Sequence, residues 1–244
     1  MGQSESLRAE TDLFDIVFDL NNTIIFVDFM GVPDLEVCNP SLKKMVPFRV
    51  AHGTYQVLEA LYNIPNTRIS FYSAGENWRN KELIPKLLKK VPIKHARRKR
   101  PIILSKDQLN NAGKKDLTFI SPKLSLPRAI LVDDQDTAAK GQEGNLLRLF
   151  PGMAAHSSPS LTITQLEIFC IKNNLLRILG ILLQVITEVR KSSCNVAEVL
   201  SSVLAKEQLP DSKLFFFHKG LEEIQRYYPL FLFYGNDDIA KMKA

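Results

Sequence analysis

The 244-residue chain has little cysteine. Cys38, Cys170 and Cys194 lie far apart and form no CxxC pair. That spacing argues against a zinc site or a disulfide framework and points to a reducing compartment. The four histidines are scattered and suggest no metal site. Long hydrophobic runs are missing too. The longest, Leu175 to Ile186, is too short to span a bilayer and contains Arg177 and Gln184. The first residues are polar and acidic, so no secretory signal is expected, and the expected location is cytoplasmic. No internal repeat is apparent.

What is present is an ordinary apolar share of 45% with a net charge of +6 and a pI near 9.2. A basic balance favours anionic partners such as phosphorylated proteins, nucleic acid or anionic lipid, without choosing among them. The run Lys94-His95-Ala96-Arg97-Arg98-Lys99-Arg100 reads as a nuclear address, as a patch for an acidic partner, or as a solvated loop. It has no interleaved aromatics that would stack on a single strand of nucleic acid. Met1-Gly2-Gln3-Ser4-Glu5-Ser6 fits the loose myristoylation pattern, so peripheral membrane association is one expectation and a disordered polar terminus the other.

From Asp15 to about Leu149 short apolar runs alternate with helical spacing. Ile16–Phe18, Arg68–Tyr72, Ala129–Val132 and Leu146–Leu149 suit strands buried on both faces of a parallel sheet. Thr54–Tyr62 and Asn77–Leu88 carry helical spacing between them. The pattern predicts an α/β fold in which helices cover the sheet and ligands bind beyond the strands' carboxyl ends. From about Leu161 the character changes to helix alone, over Ile163–Val189, Val196–Leu204 and Leu221–Tyr228. The aromatic-rich runs Leu214–Phe217 and Tyr227–Tyr234 read as helix-packing surface. The expected division is a loosely attached terminus at 1–14, a core at 15–155 and a helical extension at 156–244. The small-residue stretch Gly152–Pro159 is the expected junction.

The chemistry concentrates at predicted strand ends. Ile16-Val17-Phe18-Asp19-Leu20-Asn21-Asn22-Thr23 is an apolar run that stops at an aspartate. A carboxylate there can attack phosphorus and hold a cation, and the Thr23 hydroxyl can hold a phosphate oxygen. The next such strand ends in Ser73-Ala74-Gly75, a hydroxyl followed by small residues whose backbone N–H groups can hold a phosphoryl group. A third ends in Asp133-Asp134, which with Asp19 would form a hard-oxygen site suited to magnesium. Lys114 and Lys115 precede that strand and could offset the charge. Each piece alone also reads as a turn residue, a helix cap or a solvated lysine. Their joint order is the stronger signal.

That order resembles the haloacid dehalogenase superfamily of aspartate-nucleophile phosphatases. Asp19, Ser73, Lys115 and Asp133-Asp134 match its four motifs in sequence. The branch that dephosphorylates the C-terminal domain of RNA polymerase II is the nearer likeness, over roughly Asp15 to Leu149. The small core with a helical appendage also looks like phosphotyrosine phosphatases that intracellular bacteria inject into host cells. The resemblance implies that Asp19 forms an aspartyl-phosphate, while Thr23, Ser73, Ala74 and Lys115 hold the phosphoryl group. It implies magnesium held by Asp19, the backbone carbonyl of Asn21, Asp133 and Asp134. No large cap fits between the motifs, which implies a phosphorylated protein or peptide as substrate.

Asn21 departs from the pattern, because the superfamily has a second aspartate there as general acid and base. An amide has no titratable proton, and losing that help costs roughly 100- to 10,000-fold. Three origins fit: a deliberate substitution that traps a state, a natural pseudo-enzyme, or an enzyme with a slow or substrate-assisted step. The intact remainder of the motifs favours the first. A phenolic leaving group needs least protonation, so phosphotyrosine is expected ahead of phosphoserine or phosphothreonine. The competing reading is a non-catalytic module that captures phosphoproteins.

Overall fold

The computed structural model describes residues 13–28, 31–92, 99–121, 126–149, 172–192, 194–208 and 214–233. The chain opens with β1 (Phe14–Phe18), β2 (Ile25–Val27), β3 (Leu35–Asn39), β4 (Lys44–Val50), α1 (Thr54–Tyr62), β5 (Thr67–Tyr72) and α2 (Asn77–Lys89). It continues with β6 (Ile103–Leu104), β7 (Ala129–Asp133), β8 (Leu146–Arg148), α3 (Asn174–Lys191), α4 (Val196–Glu207) and α5 (Phe215–Gln225). The Gly152–Pro159 junction, Cys170, residues 94–98 of the basic run and the myristoylation pattern lie outside the described residues.

The main sheet has five strands in the order β6-β5-β1-β7-β8, and every pairing is parallel. Ile16 lies level with Ile69 on β5 and with Ile130 on β7. Side chains alternate between faces along a strand. Phe14, Ile16 and Phe18 join Ile69, Phe71, Ile130 and Val132 in a core shared with α1 to α5. Val17, Tyr72 and Leu131 face the other way, onto Leu117, Ile120 and Ala138. Helices therefore cover one face, while short 3-10 turns close the second. By the same alternation Asp15 and Asp19 stand on the Val17 side, and Asp133 on the Leu131 side.

A second sheet, β2-β4-β3, is antiparallel and fills the space between Thr23 and α1. The family resemblance implies one short strand followed by a helix within Val46–Ala60; the structure has three strands there, β2 to β4, before α1. This second sheet is too small to cap the first. Lys86 of α2 and Lys90 just beyond its end tie it down by donating to the carbonyls of Glu36 and Asp34, at 2.7 and 2.6 Å.

The C-terminal helices pack on that core. A Cβ added at Gly180 would fall 1.9 Å from the Phe216 carbonyl oxygen, and one at Gly220 would fall 1.9 Å from that of Leu176. The two glycines let α3 and α5 approach backbone to backbone. Arg177 and Glu207 form a buried ion pair between α3 and α4, with Nη2 and Oε2 2.6 Å apart. The last described segment returns to α1: Phe231 stacks on His52 at 5.3 Å, and the Tyr228 hydroxyl donates to Glu59. The helix expected from Leu221 starts earlier, at Phe215, because Phe216 and Phe217 are buried. No helix among the described residues is long and apolar enough to cross a membrane.

Candidate active site

Backbone pairing brings the strand ends together. The Asp19 N–H donates to the Val132 carbonyl at 2.9 Å, extending the ladder between β1 and β7 past the last strand residue. The chain then folds back at once. Ile24 and Ile25 both donate to the Leu20 carbonyl at 3.0 Å, and Asn22 adopts a left-handed φ of 57°. Asparagine is among the few side chains that tolerate this conformation. The tight turn sets Thr23 back towards the strand end. Thr23 is fully buried, and its hydroxyl finds no hydrogen-bond partner among the described residues. A buried hydroxyl left without a partner is costly unless a ligand supplies one.

Lys115 is the centre of charge. It is 2% exposed, and its ammonium reaches Asp19 Oδ1 at 2.5 Å and Asp133 Oδ2 at 2.6 Å. Its backbone is clamped: its N–H donates to Thr137 at 2.7 Å, and its carbonyl accepts from Ala139 at 3.0 Å. Lys114 points elsewhere, to the carbonyl of Asp136. Thr137 also donates to Asp133 Oδ2, and the Gln135 N–H donates to Oδ1 at 2.9 Å. Gln142 holds the neighbouring turn, accepting from the Leu117 N–H at 2.8 Å and donating to Asp116 at 2.7 Å.

Asp19, Asp133 and Asp134 offer carboxylate oxygens that all lie within 4.8 Å of one another. One lysine faces three carboxylates. Burial pushes the Asp19 carboxyl up to about 6, with Asp133 and Asp134 adding to the rise and Lys115 opposing it. Asp134 is raised as well, first by burial and then by Asp133. The donor set is all hard oxygen, and its surplus negative charge is what a magnesium ion would offset. The residues present therefore fit that ion.

Ser73 is fully buried at the end of β5, and its N–H donates to Leu104 at 3.2 Å. Its hydroxyl oxygen accepts from the Gly75 N–H at 3.2 Å and from Arg79 Nη2 at 3.0 Å. The same guanidinium donates through Nη1 to the Asn21 side-chain oxygen at 2.9 Å. Ala74 is exposed beside them. The structure thus brings Asp19, Thr23, Lys115, Asp133 and Asp134 to one end of the sheet, and Arg79 links Ser73 to Asn21. Arg79 escaped the sequence reading. It sits on the first turn of α2, in a sequence rich in arginine and lysine, and only the fold turns it inward. Burial lowers its pKa, while Asp19 and Glu76 act to raise it.

No family model matches the chain, and no curated protein matches it by sequence. Solved structures do. One is the fission yeast RNA polymerase II CTD phosphatase Fcp1, solved as a variant bound to beryllium fluoride. It is 17% identical with a TM-score of 0.44, over 61% of this chain and 45% of that one. The chain thus spans less than half of that protein. A second structure, of Fcp1 as an essential RNA polymerase II CTD phosphatase, is 14% identical with a TM-score of 0.51. It covers 81% of this chain and 73% of that one. At such identity the likeness is one of fold. The parallel sheet flanked by helices is the haloacid-dehalogenase-like arrangement that the motif order implied.

Proposed function

We propose that the protein is a magnesium-dependent phosphoprotein phosphatase that works through an aspartyl-phosphate on Asp19. The observation that carries this reading is the buried cluster at the sheet's carboxyl end. Asp19 and Asp133 hold Lys115 between them with Asp134 within reach of both carboxylates, and the turn that follows Asp19 carries a buried Thr23 hydroxyl without a partner among the described residues. Structural ion pairs are matched in number, whereas this cluster holds surplus negative charge and an orphan donor. Both are what a phosphate with a divalent cation would satisfy.

In the proposed reaction an Asp19 oxygen attacks phosphorus. Lys115 neutralises charge on the phosphoryl oxygens and keeps the nucleophile oriented. Thr23, Ser73 and the Ala74 backbone N–H hold the remaining oxygens. Magnesium, held by Asp19, the Asn21 carbonyl, Asp133 and Asp134, would supply charge neutralisation and polarise the phosphoryl group. Water then cleaves the aspartyl-phosphate. Asn21 cannot activate that water, so the second step is the slow one. The absence of a large cap among the described residues favours a phosphorylated side chain on a protein or peptide. Phosphotyrosine is preferred because phenolate leaves without a proton, in line with the effector-like layout. Serine and threonine phosphates are the slower class. The exposed Lys99 and Arg100 fit an acidic flank on the partner.

The test is magnesium-dependent hydrolysis of p-nitrophenyl phosphate by this chain beside Asn21→Asp. Restoring the acid should raise turnover at least about tenfold. A gain of nothing, with phosphopeptide binding retained, would support the second reading: a phosphoprotein-binding module, favoured by the amide at position 21.

A further inference from the structure

The position of Asn21 raises the question of what receives the charge of a departing oxygen when no acid stands there. We infer that Arg79 is a catalytic residue of this site, its guanidinium taking the negative charge of the leaving oxygen in place of a proton. The inference rests on the phosphatase reading above and names the group that completes it.

The guanidinium is held from behind. Nε and Nη2 donate to Asn80 Oδ1 at 3.1 and 2.9 Å. Asn80 is itself buried and donates to Ser105 Oγ at 3.0 Å. Space for the group is cut into the backbone: a Cβ at Gly75 would fall 1.6 Å from Arg79 Nη2 and 2.1 Å from Cζ. A side chain at position 75 would therefore expel the guanidinium. On its open side, Arg79 donates to Asn21 Oδ1 and Ser73 Oγ. Both are neutral acceptors. Hydrogen bonds to an ionised oxygen are roughly twice as strong, so these donors gain by switching to an oxygen that becomes anionic. They lie between the residue proposed to hold the phosphoryl group and the residue standing where an acid would be.

The step balances without an acid. An Asp19 oxygen forms its bond to phosphorus as the bond from phosphorus to the ester oxygen breaks. The electron pair stays on that oxygen, which leaves as an anion beside Arg79 and takes a proton from water after release. Such a site favours phenols over alcohols, because a fixed cation lowers the cost of an anion but does not remove it.

The test is a series of aryl phosphates graded by the acidity of their phenols, assayed with magnesium on the full chain, Arg79→Ala, Arg79→Lys and Gly75→Ala. Arg79→Ala should steepen the dependence of kcat/KM on phenol acidity. The least acidic phenols should lose about 100-fold, as when one transition-state donor is removed, and the most acidic less than about threefold. Gly75→Ala, which displaces the guanidinium and keeps it in the chain, should steepen the series in the same direction. Arg79→Lys should recover part of the loss. Thermal melts establish that each variant is folded, and the lysine and Gly75 variants carry the test if alanine is not. An equal loss across the series would place Arg79 on the phosphoryl group instead and overturn the inference, as would no loss. Turnover of the parent chain no higher than that of Asp19→Asn would instead overturn the phosphatase reading, and this inference with it.

Discussion

Asp15 and Asp19 stand on the same face of one strand, and both are buried, yet they sit in opposite electrostatic settings. At the opening end of β1, Asp15 meets one partner. Arg68 takes both its oxygens at 2.6 and 2.9 Å and donates onward to the Ile120 carbonyl at 2.8 Å. At the closing end, Asp19 shares a single lysine with Asp133 and has Asp134 within reach. The first charge is matched and fully hydrogen-bonded. The second is one of three carboxylates around one ammonium, and its carboxyl is driven up to about 6. A matched buried pair fixes register and position. An unmatched cluster of carboxylates holds free energy that a cation can release. The Arg177–Glu207 pair between the C-terminal helices is of the first kind.

The largest expected effect separates the two ends by activity. Asp19→Asn should lower phosphatase turnover by more than about 10,000-fold, because an amide cannot serve as the nucleophile. Asp15→Asn should leave turnover per folded molecule within about threefold. Equal losses from both would dissolve the contrast.

Next comes stability. Asp15→Asn leaves Arg68 without its carboxylate and should cost about 2 kcal/mol, read from denaturant unfolding. Asp19→Asn should act in the opposite direction in metal-free protein at neutral pH, stabilising it by about 1 kcal/mol as a like charge leaves the cluster. Loss of stability there would mean that Asp19 is as structural as Asp15.

The smallest effect is in pH. The folded-state carboxyl of Asp19 lies above its ordinary 3.8. Its contribution to stability is therefore fully present below 3.8 and lost as pH rises through about 6. The stability difference between parent and Asp19→Asn should accordingly open over that window and stay level above it. Saturating magnesium should close the difference at neutral pH. A flat profile in chelator would contradict the raised carboxyl.

The contrast was half legible in the sequence. The apolar runs ending at Asp19, Ser73 and Asp133 were readable because a strand buried on both faces leaves little room for polar residues before its end. Lys115 was readable from its place before the third such run. The motif match picked Lys115 over Lys114, and in the fold the pairing of Lys115 with Thr137 and Ala139 turns the first inward and the second outward. Arg79 was hidden because only the fold turns it inward. In the small antiparallel sheet β2 and β3 were missed, although β3 alternates buried and exposed residues, because both are short. The start of α5 was missed because aromatic residues signal burial without fixing a helix boundary.

The most direct measurement of the central claim is chemical. The chain is mixed with p-nitrophenyl phosphate and magnesium, quenched, and reduced with borohydride, which converts an aspartyl-phosphate into a side chain with a distinct mass. Peptide mapping then locates it. Because Asn21 cannot activate water for the second step, the intermediate should accumulate in the parent chain and map to Asp19, be shorter-lived in Asn21→Asp, and be absent from Asp19→Asn. Nitrophenol release with no label at Asp19, or a label at another residue, would contradict the assignment of the nucleophile.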